Sequence, residues 1–139
     1  MNPTYKLLDH TADLRIRVAG ANPADLFANA GMALFDLIAG PLPDTAEKWI
    51  SLSVSGDDSA DLLVNFLREL LYLWTGMDKM VTMVKIESIS ETGVEARIGH
   101  VDYRPDGHVI GHEIKAVTYH QIEVHQVDAG WQATIVFDI

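Results

Sequence analysis

The sequence predicts an α+β fold: two layers, with an antiparallel-rich sheet and two helices packed on one of its faces. Three observations predict it. Early residues alternate at period two, two long stretches carry apolar residues at helical spacing, and most of the second half alternates again between glycine-bearing turns.

Taken in order, Leu14, Ile16 and Val18 alternate with Arg15 and Arg17, so one face meets a core and the arginines meet water. Gly20 ends this strand. Asn22 is a side-chain cap, Pro23 suits a first helical turn, and Asp25 favours the positive end of a helix. With Leu26, Phe27, Ala30, Leu34, Leu37 and Ile38 following, a helix is expected from Pro23 to Ala39. Gly40-Pro41-Leu42-Pro43 stops it, because proline lacks the amide donor and constrains its predecessor. Ile50 to Val54 reads as the next strand. Asp57, Asp58 and Ser59 then introduce an amphipathic run (Leu62, Leu63, Phe66, Leu67, Leu70, Leu71, Trp74) over Ser59 to Thr75, with Gly76 expected as a left-handed cap. Four further strands are expected at Met83 to Ser88, Val94 to Gly99, Ile114 to Val124 and Trp131 to Phe137.

A chain of 139 residues, 48% hydrophobic and 22% charged, fits one globular domain over residues 1–139 and excludes disorder as its main character. Ten basic against twenty acidic residues give a net charge of −10, which repels nucleic acid. Any role near RNA is therefore expected to run through a more basic partner, and DNA is not an expected partner. The absence of cysteine excludes disulfide scaffolds, thiol nucleophiles and iron–sulfur clusters. No secretory h-region opens the chain, and Asn65, Arg68 and Glu69 interrupt its longest apolar stretch, so a cytoplasmic protein without a membrane span is expected. Phosphate-binding P-loops, dinucleotide fingerprints and nucleophile elbows are absent.

Three places could carry chemistry. Asp9-His10-Thr11-Ala12-Asp13 packs two carboxylates and an imidazole before a strand, and reads either as a solvated turn or as a cation site. His10 and Asp13 would need a bend to converge. At the other end, the Asp138 side chain and the α-carboxylate of Ile139 bring two anionic oxygen groups together, a set suited to hard cations or simply to hydration. In Glu113 to His120, strand alternation puts Lys115 on one face with Val117 and Tyr119. Lys115 either snorkels at a sheet edge or offers its ammonium to a phosphate or a partner's carboxylate. His108 and His112 have a zinc-like spacing, but Gly107 and Gly111 argue against the helix that would align them.

In order along the chain, Asp9 to Asp13, Ala33-Leu34-Phe35, Leu62 to Tyr72, Ile114 to His120 and the closing Phe137-Asp138-Ile139 resemble the archease family from end to end. The resemblance implies duplicated strand–helix–strand–strand modules, one inserted in the other. It also implies a non-enzymatic activator of the RtcB-type RNA ligase of tRNA splicing, promoting ligase guanylation and multiple turnover and touching RNA only through that ligase. A divalent cation, Ca²⁺ or another hard ion such as Mg²⁺ or Mn²⁺, is implied, with Asp13, Asp138 and the carboxylate end of Ile139 as ligands and His10 as a neighbour. Lys115 matches a lysine that matters for activation. Two rivals are a general chaperone or modulator of RNA-processing enzymes such as tRNA methylases, and a small metal-dependent hydrolase in which Asp13, Asp138 and His10 activate water.

Overall fold

The computed structural model describes residues 5–9 and 13–139. Its elements run β1 (Tyr5–Asp9), β2 (Asp13–Gly20), α1 (Pro23–Ile38), β3 (Lys48–Ser55), α2 (Ser59–Thr75), β4 (Lys79–Ile89), β5 (Gly93–Asp102), β6 (Ala116–Val127) and β7 (Gly130–Asp138). The α+β class and both helices are as expected. The strands divide into two antiparallel sheets, one in the order β1-β2-β7-β6 and the other β3-β5-β4. Both helices pack on both sheets, α1 on β2 and β4, α2 on β6 and β4.

The division follows from a duplication. An outer module β2-α1-β6-β7 and an inner module β3-α2-β4-β5 each order their strands first, third, second, and the inner one is inserted between α1 and β6. Local chemistry repeats with the topology. Gly20-Ala21-Asn22-Pro23-Ala24-Asp25-Leu26 answers to Gly56-Asp57-Asp58-Ser59-Ala60-Asp61-Leu62 at a constant offset. Asn22 caps α1 by accepting from the Asp25 amide, and Asp58 caps α2 by accepting from the Asp61 amide. Both glycines lie against the next helix: a Cβ on Gly20 would come within 2.4 Å of the Leu26 nitrogen, and one on Gly56 within 2.6 Å of the Leu62 nitrogen. At the same offset, Asn29 donates to the Ala19 carbonyl at 2.8 Å and Asn65 to the Ser55 carbonyl at 3.0 Å, tying each helix back to its preceding strand. Replacing either asparagine by Ala should lower stability by about 1 kcal/mol, read as a reduced denaturant midpoint at constant slope. An unchanged midpoint in both variants would mean that these ties carry no net stability.

One core serves both modules. Phe27 of α1 and Phe66 of α2 meet with ring centroids 5.7 Å apart, and Leu14, Ile16, Val18, Ile135 and Phe137 close the core from the four-stranded sheet. Gly76 does end α2, though with φ −102° rather than in the left-handed region, which Asp78 enters instead at φ 55°. A Cβ at 76 would lie 2.4 Å from the ring of Tyr72, an exposed side chain that would have to swing aside.

Among buried polar groups, His100 of β5 is 3% exposed and its Nδ1 has no partner among the described residues. Burial holds its pKa below the usual 6.5, Lys79 and Lys48 add to that effect, and Asp102 and Glu47 oppose it. The unfolded chain thus takes up this proton before the folded one does. Stability should be complete above pH 6.5 and fall below it, before the carboxylates titrate, and His100→Gln should flatten that segment of the Tm-against-pH curve. A parallel fall in the variant would assign the effect to other groups.

Candidate functional site

Asp13 is the first residue of β2 and Asp138 the last of β7. The antiparallel register places them directly opposite one another, so residues at the two ends of the chain share one face of the sheet, with Cα atoms about 4.5–5.5 Å apart. Like charges in that relation are mutually unfavourable, by about 0.2–1 kcal/mol for a surface pair. On its other side Asp138 faces Ala116 of β6, whose methyl offers no counter-charge. The Lys115 amide donates to the Asp138 carbonyl at 2.8 Å, bringing a third functional candidate to this corner.

Lys115 itself precedes β6 rather than lying within it. Strand alternation therefore does not govern it: Ile114 and Val117 are buried, while Lys115 is exposed. Expecting it to share a face with Val117 is thereby corrected. Ile139 follows Asp138 and is 37% exposed. Asp13 and Asp138 remain a pair, because no group of three His, Asp or Glu side chains able to hold a metal gathers among the described residues. His10 lies outside the described residues. Arg15 also lies nearby: it shares the outer face with Asp13 and pairs in register with Val136, which is buried there apart from the main core.

The start of β6 is held by a polar cluster that periodicity did not reveal. Arg68 of α2 donates from Nε to the Val117 carbonyl at 3.1 Å, and its guanidinium lies 4.5 Å from the centre of the Tyr119 ring. The Tyr119 hydroxyl donates to Asp61 at 2.8 Å. The Asp57 amide, then that hydroxyl, hold the Asp61 carboxyl below its usual range. Immediately beyond, the β6–β7 register breaks between Thr118 and Glu123, and Gln121 takes φ 54°, so the strand bulges. The signal lay in the Asn65 to Arg68 and Val117 to His120 segments. Each was noted, but contacts between a helix and a distant strand have no signature in spacing.

The histidine pair behaves as its glycines predicted, with no helix between them. His108 spends Nδ1 on the Arg104 amide at 2.9 Å and stacks on Tyr103, while the His112 and Gly111 amides bind the carbonyls of Leu37 and Ile38. The strand expected to end at Gly99 continues to Asp102.

The sequence profile of the archease protein family matches residues 5–139. The chain belongs to the archease family. Protein archease of Methanosarcina mazei is 33% identical over 139 residues, covering 97% of this chain and 95% of the relative, and that of Pyrococcus abyssi is 34% identical over 136 residues, covering 94% and 95%. Among solved structures, Methanobacterium thermoautotrophicum protein 1598 superposes with a TM-score of 0.80 over 100% of both chains at 24% identity. An archease of Thermotoga maritima described as a possible chaperone gives a TM-score of 0.68 over 96% of both chains at 19% identity. At these identities the two structures establish the archease fold. No helix among the described residues of this archease is long and apolar enough to cross a membrane.

Proposed function

We propose that this archease is an activator, rather than itself a catalyst, of an RtcB-type RNA ligase, and that it works through a hard divalent cation of the calcium type held at the Asp13–Asp138 corner. It promotes guanylation of the ligase and its repeated turnover in tRNA splicing, in the cytoplasm, and meets RNA only through the ligase. The observation that supports this reading is the register that sets Asp13 opposite Asp138 with the Lys115 amide on the Asp138 carbonyl. Positions that the family resemblance implies, from three distant stretches of chain, thus share one corner.

The donor chemistry fits the cation. Both side chains are carboxylates that face no thiol or counter-charge across the β2–β7 and β7–β6 pairs among the described residues, and hard oxygen sets suit Ca²⁺, Mg²⁺ or Mn²⁺ better than zinc or copper. Asp13 and Asp138 would hold the ion with the carboxylate end of Ile139, and His10 would stand beside it. When bound, the ion supplies fixed positive charge where two like charges otherwise oppose each other. Asp13 and Asp138 are presented from paired strands over the shared core, so little ordering is needed to bring them together. Lys115, exposed at the same corner, carries its ammonium toward an anionic group of the ligase or its substrate.

Purified RtcB-type ligase with excess cyclic-phosphate-ended RNA and GTP tests the reading. Substoichiometric archease should raise turnover and do nothing to the RNA alone. RNA cleavage by the protein by itself would support a hydrolase instead, and no stimulation of the ligase would remove the activator reading.

A further inference from the structure

The inner module has its own counterpart of the Asp13–Asp138 position, an uncharged Trp49–Gly99 pair, and beside it stand two cations. Trp49 stands as far before Ser55 as Asp13 stands before Ala19, and Trp49 pairs with Gly99 as Asp13 pairs with Asp138. One step further along, Arg97 of β5 sits directly opposite Lys85 of β4. Two like charges in that relation are unfavourable, and in a chain with twice as many acids as bases a neutralising partner was readily available to selection. Yet among the described residues neither cation is ion-paired: the two salt bridges join Lys79 to Asp102 and Arg104 to Glu47. The acid nearest along β5, Glu95, instead accepts from the Ser53 hydroxyl at 2.7 Å.

Both cations are gathered on one aromatic ring. The Lys85 ammonium lies 4.7 Å and the Arg97 guanidinium 5.3 Å from the centre of the Trp49 indole. Gly99 makes this possible, since a Cβ there would stand 3.1 Å from the indole and 2.7 Å from the Ala46 methyl. The ring can therefore cross β5 toward β4 and lie against both cations.

We infer that Lys85 and Arg97, gathered on the Trp49 indole, form a binding site for a phosphate group, free or carried by a nucleotide. An ammonium and a guanidinium from directly opposed strand positions can supply a point charge and a forked donor to one tetrahedral oxyanion, and an anion held between them removes their repulsion. This site is independent of the cation corner and does not rest on the ligase reading.

Amide and indole NMR shifts, followed as inorganic phosphate, adenosine monophosphate or adenosine is added without divalent cation, test the proposal. Phosphate should give saturable shifts centred on Trp49, Lys85 and Arg97, and Lys85→Gln or Arg97→Gln should each weaken binding about tenfold. Tighter binding of adenosine monophosphate than of phosphate identifies a nucleotide as the ligand, and equal binding identifies phosphate alone. Lys6 and Arg17 provide an internal control, being another directly opposed cationic pair. Shifts as large there as at Lys85 and Arg97, binding of adenosine equal to that of its monophosphate, or affinity unchanged in both glutamine variants would overturn the proposal.

Discussion

Asp13→Asn should abolish calcium binding and ligase stimulation together while leaving the cation-free protein as stable as before, or about 0.2–1 kcal/mol more stable. The two effects have opposite signs because one carboxylate serves both. Without a cation it faces Asp138 across the β2–β7 pair and repels it, so neutralising it relieves the strand. With a cation it is a ligand, and losing it leaves Asp138 with no opposing carboxylate. In wild-type protein, calcium at one hundred times its Kd should add about 2.7 kcal/mol to the unfolding free energy by mass action, and in the variant it should add almost nothing. Denaturant titrations with and without calcium would separate the cases. If Asp13→Asn destabilised the cation-free protein by several kcal/mol, Asp13 would be a structural residue.

Lys115→Ala should separate activation from metal binding. The side chain is exposed and the contact that places it is its backbone amide on Asp138, which Ala retains. Stability should change by less than about 0.5 kcal/mol and calcium affinity should hold, because neither the core nor the carboxylate pair is altered. Ligase stimulation should fall at least tenfold if the ammonium meets a charged partner group, on the usual scale of charge-assisted contacts. Lys115→Arg, which keeps the charge, should recover part of it. A Lys115→Ala protein that still stimulates fully would confine the interaction to the cation corner or other surfaces.

Much of this could be seen in the chain before its coordinates, and the limits have physical causes. Both helices were legible because Asn22-Pro23 and Asp58-Ser59 satisfy the first amides and an apolar face follows at helical spacing. Arg17 meets water on the outer face of β2 as the alternation predicted, whereas Arg15 is half-buried on that face, its Nε covered and without a partner among the described residues. β1 was missed: Tyr5 to Asp9 is short, and its pairing with β2 shifts register between Leu7 and Asp9. The division into two sheets was not readable from periodicity, since alternation reports that a strand has a buried face without naming its partners. The repeat of Gly20 to Leu26 at Gly56 to Leu62 was a signal that self-comparison of the sequence could have found. At the site, each carboxylate could be nominated by residue type. Their meeting depended on β7 returning beside β2, which is long-range pairing. The positions of Asp61, Arg68 and Tyr119 around the start of β6 were out of reach for the same reason.

The most direct measurement is a calorimetric calcium titration of the wild-type protein, paired with NMR to locate the bound ion. One saturable cation per chain is expected, with the largest shifts at the amides of Asp13, Lys115 and Asp138. Heats that never saturate, or a saturable ion whose shifts lie elsewhere and leave those three amides unmoved, would contradict it.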